Sequence, residues 1–279
     1  MNEIDPTGQV AAWWATAVSR MEPGVIELRG RPVQDLIGTT SLTSMIWLML
    51  RGEPPSPAQS ALLEAALVAA VDHGPQAPSI AIARMAATCG IGLNGAVASA
   101  VNTLGDHHGG AGEQCVELLD QILEREAAGL DLDSATEQVV SEWPRYLPGF
   151  GHRFHPRDPR RDPLLTLVAQ AARDGVVPGD HLRAGLAVEE HLATGRAKPI
   201  PMNIDGCTAI IYAELGFPAP LARGLFVLSR SIGILAHAWE ETTQGRRNKG
   251  PIPRSILPAT VADPVVGCQQ SGRFGPDGP

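Results

Sequence analysis

A mainly α fold with one small β-hairpin near the N-terminus is predicted by three observations. Apolar residues recur at helical spacing through most of the chain, aromatics make up only 4% of it, and Gly and Pro end short helices rather than bounding alternating strands. The one convincing extended stretch, Val25 to Leu28, is followed by Arg29-Gly30 and Pro32-Val33, which suits the hairpin. Ser41 to Arg51 carries apolar Leu42, Met45, Ile46 and Met49, is closed by Gly52 and predicts a buried helix. Ser56-Pro57-Ala58-Gln59 combines an N-cap serine, a first-turn proline and a glutamine three residues on, which is a capping box. That helix is expected to run to Asp72 and to end at His73-Gly74-Pro75, where glycine supplies the left-handed residue and proline blocks continuation. Short helices over Ser79 to Thr88 and Asn94 to Leu104 lead into the loop Gly105 to Gly110. From Ala111, the residues Cys115, Leu118, Leu119, Ile122 and Leu123 share one helical face.

Asp133 to Trp143 predicts a weaker helix, and Tyr146 to Pro163 is too dense in Pro, Gly, Arg and His for a regular element. Helices are expected again at Leu164 to Asp174, at Asp180 to Thr194 with Asp180 as cap, at Cys207 to Leu215 and at Ala219 to Trp239. Beyond Gln244 the chain is rich in Gly and Pro and is expected to wrap over a neighbour or lack order.

With 279 residues, 44% of them hydrophobic, the chain can bury one large core or two coupled lobes. Cys89, Cys115, Cys207 and Cys268 form no CxxC pair and sit among small or apolar neighbours, as free thiols in a reducing cytoplasm would. No secretory signal opens the sequence, and the longest unbroken apolar run, Met45 to Leu50, is too short for a bilayer, so a soluble protein is expected. A formal net charge of -8 and the lack of a long basic tract argue against nucleic acid as a partner. The arginines that are present gather between Arg145 and Arg161, where a small polyanion could bind.

Nearly all the reactive side chains fall at four irregular junctions beside helices: His73, His107-His108, His152-Arg153 and Asp205. Histidine transfers protons near neutral pH, and a carboxylate beside it supplies the complementary base. At these junctions the sequence resembles the citrate synthase superfamily. Gly105 to Glu113 (GDHHGGAGE) is similar to its histidine-Gly-Gly-Ala-x-Glu loop, and Gly149 to Phe154 (GFGHRF) with Asp158-Pro159-Arg160 to its Gly-x-Gly-His-Arg segment. Asn203-Ile204-Asp205-Gly206 resembles the Asn-Val-Asp segment, and Arg230-Ser231-Ile232-Gly233 with His237 and Glu240 resembles the closing helix. Asp72-His73-Gly74-Pro75, Asn203-Ile204-Asp205-Gly206 and Gly224 to Ser231 are similar to the citryl-CoA lyase branch, which includes the C-terminal module of ATP-citrate lyase.

The resemblance implies a two-domain citrate-synthase-like fold, with residues 1–110 and 215–279 in a large domain and 111–214 in a small one. It implies a cytoplasmic homodimer whose site is closed by a neighbour's tail, cleaving citryl-CoA to acetyl-CoA and oxaloacetate. His108 would stabilise the thioester enolate, His152 would exchange a proton with the oxygen of the four-carbon part, and Asp205 would act on the carbon beside the thioester. His73, Arg153 and Arg230 would hold substrate carboxylates, for which guanidinium is the fitting donor. Arg157, Arg160, Arg161 and Lys198 are candidates for coenzyme A phosphates. No permanently bound cofactor and no metal are expected; the partners are an acyl-CoA and a 2-oxo acid, with no membrane. Where the family carries a C-terminal arginine, this chain reads Lys249-Gly250-Pro251-Ile252-Pro253-Arg254, so Arg254 or Lys249 stands in for it.

Plainer readings apply to the same residues. His152 and His155 could pair on a metal, but Pro156 breaks the helix geometry and no third ligand follows. Asp205 could be an N-cap, His73 could cap carbonyls, and the arginines at 157 to 161 could form a solvated face. His107, His181, His191 and His237 are read as surface or structural. A condensing enzyme or acyl-CoA hydrolase would use the same residues, and a non-catalytic acyl-CoA scaffold would not need all of them.

Overall fold

The computed structural model describes residues 6–144 and 146–250. The chain starts with α1 (Pro6–Trp13), which the sequence pattern does not reveal because it has no buried face: Val10, Trp13 and the following Trp14 are all exposed. In place of a hairpin there is a three-stranded antiparallel sheet, β1 (Ser19–Glu22), β2 (Val25–Leu28) and β3 (Arg31–Pro32), in the order β1-β2-β3. Arg29 (φ 50°) and Gly30 (φ 73°) both take the left-handed conformation that a two-residue turn between twisted strands requires. The Arg29 guanidinium then donates to the Met49 carbonyl through Nε at 2.9 Å, tying the sheet to the helical body.

After α2 (Val33–Leu36), α3 (Leu42–Arg51) starts where Ser41 accepts the Ser44 amide at 3.1 Å and ends at Gly52 (φ 85°). The capping box of α4 (Pro57–Ala70) forms as the sequence predicts: the Gln59 amide donates to Ser56 Oγ at 3.2 Å and the Ser56 amide to Gln59 Oε1 at 2.9 Å. There follow α5 (Pro78–Thr88), α6 (Leu93–Val101), α7 (Ala111–Ala127), α8 (Leu132–Glu142), α9 (Arg161–Arg173), α10 (Asp180–Ala193), α11 (Ile204–Glu214) and α12 (Ala219–Gln244). Helices α9 and α11 begin three residues earlier than expected, at Arg161 and Ile204, and two caps differ from expectation. Asp180 does not cap α10; the N-cap is Gly179, and the buried Glu214 carboxylate, from the far end of α11, accepts the Gly179 and Leu182 amides at 2.7 and 3.0 Å. Asp205 does not cap α11 either, because the Asn203 side chain accepts the Asp205 and Gly206 amides.

Buried apolar residues form two clusters. The larger runs from Trp47 of α3 and Leu63 of α4 through Leu118, Val168 and Val188 to Ile210, Tyr212 and Leu225, and includes the buried thiols Cys115 and Cys207. The smaller joins Ala70, Ile80, Ala83, Ala100, Phe226 and Ile234. Because α4 packs on α9 and α11, the larger cluster crosses the boundary expected at residue 110. Every residue of α11 except Asp205 is buried, so this helix is the axis of the larger core.

The first part of α12 packs in one cluster and the rest in the other. By length and composition α12 is apolar enough to match a membrane span, a property masked in the sequence by Arg223 and Arg230. Its outer face exposes Leu228, Ile232, Leu235 and Trp239, spaced four, three and four residues apart, as one apolar stripe.

Candidate active site

Between the two clusters lies a cavity of about 1110 Å³. Its wall is made by the start of α5, the loop 105–110, the start of α7, the loop 146–154, the start of α11, and Phe226 and Arg230 of α12. His73, His108, His152, Arg153, Asp205 and Arg230 all line it, although they come from positions up to 157 residues apart (230 − 73).

Close backbone approach brings the parts together. Gly149 (φ 85°) passes so near Gly206 that a Cβ on Gly206 would stand 2.5 Å from the Gly149 carbonyl. The Asn203 amide donates to the Gly149 carbonyl at 2.9 Å, Asn203 Nδ2 to the Gly151 carbonyl at 2.6 Å, and the Gly151 amide to the Pro201 carbonyl at 2.7 Å. The loop that carries His152 is thereby zipped to the start of α11, which carries Asp205.

His108 is fixed at the start of α5. The amide of buried Ser79 donates to His108 Nε2 at 3.1 Å, and Ser79 Oγ lies 2.9 Å from the same nitrogen. A nitrogen that accepts an amide proton carries none itself, so the neutral ring holds its proton on Nδ1, which has no partner among the described residues. Burial, then the Arg230 charge, pushes the His108 pKa down and keeps this neutral donor form.

With capping left to Asn203, the Asp205 carboxylate has no hydrogen-bond partner among the described residues. Its half-exposed side faces the cavity rather than bulk water, so burial raises its pKa, against the pull of Arg230 and Arg160. Buried Arg230 uses Nε on the Ala70 carbonyl at 3.1 Å and stacks 4.8 Å from the Phe226 ring centroid, with its terminal nitrogens unpaired among the described residues.

His152 is held differently. Its Nδ1 accepts the Phe154 and His155 amides at 3.0 and 3.1 Å, which puts the proton of the neutral ring on Nε2. The His73 ring meets it edge-on at 5.4 Å. Burial lowers both pKa values; for His73 the charges of Arg160, Arg230 and His152 add to the effect.

The arginine cluster divides. Asp158, only 1% exposed, accepts Arg160 through Nε and Nη2 and also accepts the Ile204 amide, at 2.9 to 3.0 Å. Held this way, Arg160 acts electrostatically on His73, His152 and Asp205. Arg157 pairs with Asp162, whose pKa is held down to about 2 by Arg157 and Arg161, and Arg161 also pairs with Glu189. Lys198 is exposed and off the cavity wall. The Lys249 ammonium pairs with buried Glu241, and Arg254 lies outside the described residues. Sequence reasoning missed Ser79 outright, and it quoted Asp158 and Asn203 in their motifs without reading their supporting roles; of the three only Asn203, two residues before Asp205, carried a usable capping signal. Among the described residues no group of His, Cys, Asp or Glu is arranged to hold a metal.

Comparison with known proteins places this geometry. Residues 7–255 match the family described as citrate synthase, C-terminal domain. A citrate synthase of Acidithiobacillus ferridurans is 32% identical over 204 residues, 71% of this chain and 51% of that protein. The chain spans about half the length of the curated citrate synthases it matches. A citryl-CoA lyase from Hydrogenobacter thermophilus superposes with a TM-score of 0.79 at 30% identity, covering 90% of this chain and 95% of that one. An ATP citrate lyase from Methanothrix soehngenii, solved with citrate and coenzyme A, shares the fold at a TM-score of 0.76 and 21% identity, covering 94% of this chain and 45% of that one.

Proposed function

This chain belongs to the citrate synthase family, and from that premise we propose that it is a citryl-CoA lyase, releasing acetyl-CoA and oxaloacetate. The observation that carries the proposal is one cavity in which a neutral histidine donor, His108, and an unpartnered carboxylate of raised pKa, Asp205, face a cationic end made by Arg230 and Arg153, with the His73 ring beside them and Arg160 behind. The likeness to a citryl-CoA lyase over 95% of that protein's length supports the same reading.

In cleavage the hydroxyl proton of citryl-CoA leaves, the bond between the hydroxyl carbon and the thioester's α-carbon breaks, and its electron pair becomes the enolate of acetyl-CoA. His108 Nδ1–H donates to the enolate oxygen as charge develops there. In its protonated form, which burial favours, Asp205 gives its proton to the α-carbon and is reprotonated by solvent. His152 takes the hydroxyl proton. It can do so only after Nδ1 gives up the Phe154 and His155 amides, so substrate binding is coupled to rearrangement of residues 152–155.

A second reading, condensation of acetyl-CoA with oxaloacetate, is favoured by one observation. The Nε2–H that His152 presents suits donation to a ketone oxygen without rearrangement. The direct test separates the two. Given citryl-CoA, a lyase forms acetyl-CoA and no free thiol, whereas given acetyl-CoA and oxaloacetate a synthase liberates coenzyme A. Rapid thiol release with no cleavage of citryl-CoA would replace the lyase by the synthase. We also infer a homodimer, supported by the apolar stripe on α12; sedimentation showing a fully active monomer at micromolar concentration would reject it.

A further inference from the structure

Asp72-His73-Gly74 leaves the end of α4 as an irregular turn, and the His73 ring takes no hydrogen bond among the described residues that would fix its direction. The turn is held from behind. Asp72 Oδ2 accepts the Gly74 amide at 3.0 Å, and Asp72 also accepts the His73 amide. Its other oxygen, Oδ1, lies 3.3 Å from Nε2 of His237 on α12. On the far side of the His237 ring, Nδ1 lies 3.1 Å from Arg84 Nη1. A guanidinium nitrogen can only donate, so Nδ1 accepts and the ring proton sits on Nε2; Asp72 Oδ1, buried and without a hydrogen-bond partner among the described residues, meets Nε2 as an electrostatic contact. Arg84 is in turn anchored by Glu240 at 3.2 Å and by buried Glu241. One turn earlier on α12, Gly233 lets the same segment approach: a Cβ there would stand 2.2 Å from the Val71 carbonyl. The turn therefore rests on α12 at two points, one steric and one polar.

We propose that His237 is a positioning residue for His73, fixing through Asp72 the direction in which the His73 ring enters the cavity. The inference deepens the reading of His73 as a substrate-carboxylate ligand and rests on it for its functional meaning, while the positioning itself can be tested without substrate. The charged groups with the largest effect on His73 are Arg160, Arg230, His152 and Asp158, while His237 meets the turn through Asp72 on its far side.

The experiment follows the His73 ring by histidine NMR during a pH titration of the full chain, in wild type, His237→Ala, His237→Phe and His237→Gln. The phenylalanine variant keeps the ring volume and removes both nitrogens, which guards against a mere failure to fold. In wild type His73 titrates below the ordinary 6.5. In the alanine and phenylalanine variants the freed turn hydrates and its pKa rises towards that value. Gln, which can donate to Asp72 and accept from Arg84, restores the wild-type titration. His73 titrating as in wild type in all variants, with only the melting temperature lowered, would overturn the proposal and leave His237 a structural residue. Citrate binding by calorimetry reports separately on the carboxylate reading. About a tenfold loss in His237→Ala with coenzyme A binding unchanged supports both ideas. An altered His73 titration with citrate binding unchanged keeps the positioning role and rejects His73 as the ligand.

Discussion

The two walls of the cavity are built on different principles. Asp205 and Arg230 stand on helices, the first on the otherwise buried α11 and the second stacked on Phe226, while His108, on the loop before α7, is pinned to the start of α5 by Ser79. His152 and Arg153 stand on a loop whose residues 153–157 are all exposed, and His152 is held by two amides of that loop. In the proposed reaction the first set would meet developing charge, and packing preorganises it, so that a fixed dipole costs no rearrangement at the moment of reaction. The second set, proposed to meet the incoming acid, is held only by its own exposed loop.

The hardest way to break this contrast is to cut the tie between the walls. Asp158 joins Arg160 of the loop to the Ile204 amide of α11, and removing one partner of a buried ion pair costs about 3–5 kcal/mol. Asp158→Asn should lose about that much in urea unfolding. The pH dependence has a definite sign. Arg160 holds the Asp158 carboxyl below its usual range despite burial, so its contribution is present above the unfolded carboxylate pKa and fades as pH falls through the folded value. Wild type and variant should converge in acid.

Next in size are the reacting groups. His108→Ala, His152→Ala and Asp205→Asn should each lower turnover about a hundredfold or more while remaining folded by circular dichroism. A near-normal Asp205→Asn would make that carboxylate a bystander on the rigid wall.

A third test uses the raised pKa of Asp205. Cleavage needs its protonated form and condensation its ionised form, so cleavage should fall, and condensation rise, by up to about tenfold per pH unit across the same raised pKa. Identical profiles in both directions would remove Asp205 as the group that moves the proton. The smallest effect sharpens the contrast directly. The Phe154 and His155 amides should exchange hydrogen quickly without ligand and slow down with citrate, while the amides of 207 to 213 in α11 stay protected in both states.

What the sequence made legible follows from range. Ser41 and Ser56 reach backbone three residues away, so their helices could be read from local order. The same local logic singled out His108, His152 and Asp205, because each sits where a helix and a loop meet. The cap of α10 could not be read, since Glu214 arrives from another helix and Asp180 is the nearer, misleading choice. The surroundings of Arg160 could not be read locally either, because His73 and Asp205, on which it acts, are contributed by residues far away in the chain. Helix α1 was missed for a different reason: with no face against a core, it leaves no apolar period to read.

The cysteines have a practical consequence for every variant named above. Cys89 is exposed, whereas Cys115 and Cys207 are sealed in the larger core and burial pushes their thiols far above the usual range. With Cys268, which lies outside the described residues, replaced by serine, a disulfide dye added to the native chain should therefore label Cys89 promptly and the two core thiols only on unfolding. The slow labelling then serves as a stoichiometric clock for the native fold, read in the same cuvette and at the same wavelength as coenzyme A release. A variant whose turnover is gone while that clock still runs slowly has lost chemistry, and one whose core thiols label at once has lost its fold.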